Sequence, residues 1–166
     1  MRGARIVLTI IVFALGVFFF HLSSPFASDL ADDEFRHKIA ALINSESTVH
    51  IQGIGIEKDD QSQVNLEISA NVGNGWGKEA LARSFARESL KALFISDLPI
   101  SHVVLKVYGD SNILLTVALG KNQGRALNWD NDESLNLFFE HMKSNMTYSG
   151  NPDDYCWLIE NNSASW

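Results

Sequence analysis

The residues of this chain that first invite a chemical reading are Gly73-Asn74-Gly75-Trp76-Gly77-Lys78-Glu79, a glycine-rich run between a strand-like and a helix-like segment. Loops in that position cradle phosphates, because successive backbone N–H groups and a helix N-terminus face the anion. The spacing argues against it here. A P-loop needs GxxxxGK followed by Ser or Thr. Val72 stands where the first glycine belongs, and Glu79 follows Lys78, putting a carboxylate where phosphate would sit and no hydroxyl for magnesium. The dinucleotide pattern GxGxxG accepts Gly73 and Gly75 but meets Lys78 at its third glycine. The run therefore reads as a crossover loop whose Trp76 packs against the sheet edge. An exposed Trp76 would instead be a contact point, the common role of an aromatic on a loop.

The other reactive residues form no constellation. His21, His37, His50, His102 and His141 show no metal-ligand spacing on one element, and neither HExxH nor GxSxG occurs. Asp59 and Asp60 fall in a polar hairpin loop, Lys58–Ser62, where carboxylates are solvated. Asp130 opens an acidic run, but Leu135 stands where an EF-hand needs glycine and His141 where it needs glutamate. The single cysteine, Cys156, excludes an intrachain disulfide and a Cys-based zinc site, and its neighbours Tyr155, Trp157, Leu158 and Ile159 predict burial. Nothing near Cys156 or His141 supports a nucleophilic dyad. No catalytic residue, cofactor or metal is expected. The residues singled out for interaction are Trp76 and Trp129. The competing expectation is a small-ligand or enzymatic cleft near Trp76, Trp129 and His141.

Charge narrows the partners. Across 166 residues, 20 Asp and Glu against 13 Lys and Arg give a formal net charge of −7. Without a basic run the chain has no electrostatic footprint for nucleic acid or for anionic lipid. The membrane enters by another route. Arg2 and Arg5 precede an unbroken apolar run, Ile6–Phe20, and Asp29, Asp32, Asp33 and Glu34 come after it. Positive residues before such a run place the N-terminus in the cytoplasm and the C-terminal side outside. Residues 1–27 are expected to be an uncleaved signal-anchor, because small residues do not fall cleanly at a cleavage site. Cleavage near Ala27, giving a secreted chain, is the alternative. Partners are then the membrane, through this helix, and other envelope proteins.

The elements that must position any site are set by periodicity. Phe35, Ile39, Leu42 and Ile43 predict a helix over Asp29–Asn44, capped by Ser28 or Asp29. Thr48–Glu57 and Gln63–Val72 read as paired strands. Val64, Leu66, Ile68, Ala70 and Val72 alternate with polar residues, whereas Val49 and Ile51 are out of phase with Ile54 and Ile56, which a bulge at Gly53 repairs. Gly77–Phe94 is an amphipathic helix with Leu81, Ala82, Phe85, Ala86, Leu90, Leu93 and Phe94 on one side. Ile100–Tyr108 and Asn112–Gly120 form a second strand pair about Gly109-Asp110-Ser111, with Ile113, Leu115, Val117 and Leu119 on one face and Leu114 and Ala118 on a partly covered other. Asp130 or Asn131 caps a last helix bearing Leu135, Phe138, Phe139 and Met142.

Glu88-Ser89-Leu90-Lys91-Ala92-Leu93-Phe94, then two strands, then Arg125-Ala126-Leu127-Asn128-Trp129-Asp130, resembles uncharacterised exported or membrane-anchored domains of bacteria over residues 88–138. That resemblance implies export and no activity. The expected fold is α+β: an extracytoplasmic domain over 28–146 with one mixed four-stranded sheet, and a C-terminal extension, 147–166, whose Tyr155–Ile159 knot can dock as an extra strand. Phe85, Leu90, Leu93 and Phe94 should pack on Val64, Leu66, Ile68, Leu105, Val107, Leu115 and Val117. Burying one large apolar side chain contributes roughly 1.5–3 kcal/mol, and a buried unpaired carboxylate costs several more. Leu90→Asp is therefore expected to abolish cooperative thermal unfolding by circular dichroism; an unchanged melting curve would overturn the packing.

Overall fold

A strand whose apolar residues alternate with Asn65, Glu67, Ser69 and Asn71 has one face to bury and one to wet, and the fold is built on that division. The computed structural model describes residues 25–43, 49–58, 62–129, 134–147 and 151–161. The apolar run Ile6–Phe20, the loop carboxylates Asp59 and Asp60, and the helix-opening residues Asp130–Glu133 lie outside them. The chain divides into two units, Met1–Phe35 and Arg36–Trp166. Helix α1 (Pro25–Ile43) contributes to each. Its described part begins at Pro25, so the expected caps Ser28 and Asp29 lie inside it. In the second unit Ile39 and Ile43 are buried. Among the described residues no helix is long and apolar enough to cross a membrane.

The second unit is α+β with one mixed sheet. Strands β1 (His50–Lys58), β2 (Val64–Asn71), β3 (Ile100–Gly109), β4 (Asn112–Gly120) and β5 (Cys156–Glu160) lie side by side in chain order. β2 and β3 run parallel and the other pairs antiparallel. A parallel pair needs a crossover, and helix α2 (Lys78–Ile95) supplies it. The expected four strands become five because Cys156 and Leu158 alternate onto the same face as their partners Leu119 and Val117 and cover the edge that β4 would otherwise expose. Helices α3 (Lys121–Ala126) and α4 (Leu135–Ser144) and a short 3-10 turn (Pro152–Asp154) complete it.

Three irregularities reset the alternation. Gln52 is an extra residue between Ile51 and Gly53, which brings Ile51, Ile54 and Ile56 opposite Ala70, Ile68 and Leu66 as the phase argument requires. Ser101 is extra in β3: Val64 pairs with Ile100, but Asn65 pairs with His102. Leu114 is extra in β4, so Ile113 pairs with Tyr108 rather than sharing the face of Leu115. The expected face of β4 is corrected there: Leu114 is buried and Ile113 only half-buried. The remaining half of the expectation stands, since Ala118 is buried on the opposite side.

α2 lies on β3 and β4. Its Ala82, Phe85, Ala86, Leu90, Leu93 and Phe94 are buried, as are Val64, Leu66, Ile68, Leu105, Val107, Leu115 and Val117. The ring of Phe94 presses on α3, where a Cβ at Gly124 would fall 2.5 Å from it, so only glycine permits the approach. α4 begins later than its acidic run suggested: Ser134 is the cap, its Oγ accepting from the Leu137 N–H at 3.3 Å. Phe138, Phe139 and Met142 fill the stripe.

One carboxylate joins three elements. Glu160, at the end of β5, accepts from Arg83 Nε of α2 at 2.5 Å and pairs with Lys143 Nζ of α4 at 2.7 Å, while its side chain is 7% exposed. Burial pushes its pKa up, but the hydrogen bonds from Arg83 and Lys143 outweigh that and hold it below the usual range. A carboxyl whose folded pKa is depressed stabilises the fold above the unfolded value, about 4.3, and loses that contribution as pH falls through the folded value. Glu160→Gln is expected to cost about 2 kcal/mol at pH 7 in urea unfolding. The gap to the native chain should close towards about pH 3, and a gap that stays constant with pH would exclude the ion pairs as its source.

Candidate functional site

The two faces of the sheet differ in what covers them. The face of Leu105 and Val117 lies under α2. The opposite face of β1, β2 and β3 carries the residues out of phase with the core, and cross-strand register sets them in rows. Glu57, Asn65 and His102 form one row, and Gly55, Glu67 and Val104 form the next. Strands lie about 4.8 Å apart, so each row spans roughly 10 Å. The bulge at Ser101 decides the third member. Without the extra residue, Ser101 would oppose Asn65 and the imidazole of His102 would turn to the other face.

These rows line an open cleft of about 370 Å³, walled at one end by Tyr155. Tyr155 directly precedes β5, and its carbonyl accepts from the Gly120 N–H at 2.7 Å, which fixes it beside β3 and β4. Its ring meets the His102 imidazole edge-on, with centroids 5.5 Å apart and planes at 80°. The floor is low at Gly55, which has no side chain, and apolar at Val104.

The charges in the cleft are only partly balanced. Glu67 accepts from Lys106 Nζ at 2.5 Å, and that bond raises the Lys106 pKa. Glu57 has no basic partner among the described residues. Asp153, in the 3-10 turn, accepts a hydrogen bond from Ser101 Oγ. Burial pushes the His102 pKa below its ordinary value, against the pull of Asp153. The imidazole is thus neutral at pH 7, and its Nε2 is buried without a hydrogen-bond partner among the described residues.

The residues singled out from sequence do not meet. Trp76 is 108% exposed, on a loop whose Gly73 and Gly77 take φ of 73° and 79°. The expected packing against the sheet edge is therefore corrected: the loop holds its indole in solvent. Trp129 is 6% exposed, and its indole N–H donates to the Gly124 carbonyl at 2.8 Å. The Trp129 carbonyl accepts from Arg87, about ten residues, or roughly 15 Å of helix, beyond the end of α2 nearest Trp76. His141 is exposed on α4. The cleft is lined by none of the three.

Nor does the arrangement activate a nucleophile. Cys156 is buried, its Sγ lies 3.8 Å from the Met142 carbonyl, and burial pushes the thiol up, away from the reactive thiolate. Among the described residues no group of three or more His, Cys, Asp or Glu is placed to hold a metal ion. No protein family, curated protein or solved structure matches the chain.

Alternation marks the wet faces of β2 and β3 separately, but the cleft depends on their parallel pairing and on the Ser101 bulge, neither of which alternation reveals. The His102 environment is directly measurable. With its folded pKa below the unfolded value, about 6.5, the folded protein takes up a proton less readily than the unfolded chain. Its contribution to stability is present above that value and is lost as pH falls through the folded one. His102→Asn is expected to flatten the fall in urea stability between about pH 7.5 and pH 5; an unaltered slope would mean that the imidazole keeps its ordinary proton affinity.

Proposed function

We propose that the chain is a non-catalytic interaction domain, displayed outside the cytoplasmic membrane by its N-terminal segment and meeting other envelope proteins through the Trp76 loop. The observation that carries the reading is the full exposure of Trp76. A tryptophan buries 150–250 Å² when covered, worth roughly 4–6 kcal/mol at about 25 cal/mol per Å². The fold leaves that contribution unused at this position while burying Trp129. Tryptophan is among the residues that dominate binding energy when a partner covers them, and glycines on either side let the loop adapt to one. Display outside the membrane is supported by Arg2 and Arg5 ahead of Ile6–Phe20 and by the acidic residues behind it. The resemblance of residues 88–138 to exported bacterial domains points the same way.

Both halves can be tested in one bacterial strain. The full chain is expected in the carbonate-washed membrane pellet, with its C-terminal domain cleaved by protease added to spheroplasts. Deletion of residues 1–27 should leave it in the cytosol. A photo-crosslinking amino acid at position 76 is expected to give discrete adducts with envelope proteins, and the same group at Glu79 none. Native chain in the cytosol would remove the anchor, and indistinguishable adducts at 76 and 79 would remove the loop.

A further inference from the structure

The cleft on the open sheet face has a shape and a charge that together select an occupant. Its floor is low at Gly55 and apolar at Val104, with Glu67 between them. One end holds Glu57, a carboxylate without a basic partner among the described residues, and the far end holds the Tyr155 ring beside a neutral imidazole. Lys106 adds no free positive charge, because it is engaged by Glu67. A group that fits must carry an aliphatic stem for the floor and a compact cation for the carboxylate. An alkylammonium has both: lysine-type side chains bury their methylenes along apolar surface and keep the charged head at a polar rim, and a carboxylate–ammonium hydrogen bond is among the stronger ones. A carboxylate or phosphate would meet Glu57 and Glu67.

We infer that this cleft receives the lysine side chain of a partner protein, with the ammonium against Glu57 and the stem over Gly55. Openness decides between a partner's side chain and a free small amine. A free ligand needs most of its surface enclosed, whereas a cleft on an open sheet face accepts a side chain whose main chain stays outside. β1, which carries Glu57 and Gly55, is also the edge of the sheet. An extended segment laid beside it would present alternate side chains to the same face. The inference shares with the proposed function only the premise that the domain meets another protein, and Trp76 takes no part in it.

The experiment titrates the full chain, held in neutral detergent, with a blocked five-residue peptide alternating valine and lysine. Nuclear magnetic resonance shifts of Gly55, Glu57, His102 and Val104 are followed. The same peptide with norleucine for lysine, and spermidine, serve as the other probes. The lysine peptide is expected to shift these residues and the norleucine peptide to bind at least about tenfold more weakly. Glu57→Gln should weaken the lysine peptide by about tenfold. Gly55→Val should do so too by filling the floor with no change of charge; a Cβ there meets only Glu67 at 3.6 Å, so the strand can hold it. Thermal unfolding of both variants checks that the fold is intact, and Gly55→Ala replaces Gly55→Val if it is not. Trp76→Ala should bind the peptide as the native chain does, so loss of the Trp76 reading leaves this one standing. Equal binding of the lysine and norleucine peptides, or no effect of Glu57→Gln and Gly55→Val, would overturn the inference. Spermidine binding as tightly as the peptide would also overturn it, by assigning the cleft to free amines.

Discussion

The parallel pairing of β2 with β3 is the constraint on which the rest of this domain depends. Two parallel neighbours cannot be joined by a tight turn, so the chain must leave the sheet and return over it. The segment that does so, α2, carries an apolar stripe that has no stability of its own in water. Strand pairing and helix cover therefore form together or not at all. Leu105, Val107, Leu115 and Val117 are buried where that helix lies on β3 and β4, Val64, Leu66 and Ile68 are buried on the same face of β2, and the face behind them is more open. Glu160 extends the same logic outward. Because β5 ends beneath α2 and α4, a single carboxylate meets Arg83 and Lys143 and holds two helices to the last strand.

The open face is equally a product of that constraint. A residue added to one strand moves every later side chain to the other face. At Gln52 the shift keeps the half-buried isoleucines of β1 on the core face. At Ser101 it delivers His102 to the outer face beside Asn65, and at Leu114 it buries one leucine and turns Ile113 outward. The cleft thus depends on registers set by bulges in β1 and β3 as well as on the residues that line it. Burial lowers the proton affinity of its imidazole against the pull of Asp153, which leaves the carboxylates to set the sign of the local field.

Local periodicity carried the main helices and strands of the α+β fold, the α2 stripe, the bulge in β1 and the burial of Cys156, because each is decided by neighbours within a turn or a strand. What it could not carry depends on contacts far apart in sequence. α3 is six residues long and contains Gly124, so its poor helix propensity is offset by distant partners: the Phe94 ring packed on it, Trp129 donating to the Gly124 carbonyl and Asn122 donating to Asp154. The exchange of Ile113 and Leu114 is invisible to alternation, since both residues are apolar and only the pairing of β4 with β3 chooses between them. The cleft was illegible for the same reason: Glu57, Asn65 and His102 become neighbours only through two separate strand pairings.

The tryptophans show how little residue type alone decides. Trp129 and Trp76 both sit outside regular elements, and both read as contact residues. Trp129 lies three residues after a helix whose Gly124 offers a buried carbonyl, and a buried indole needs one acceptor for its one N–H. That acceptor, with Phe138 at 5.6 Å, makes the interior the better place for it. Trp76 stands between Gly75 and Gly77, and the positive φ of Gly77 turns the chain into α2 without a side-chain cap. The loop serves to reverse direction between β2 and the helix, and no apolar wall covers its indole. The same side chain is therefore almost wholly withdrawn from water at Trp129 and left wholly in it at Trp76, and the difference lies in the walls around it.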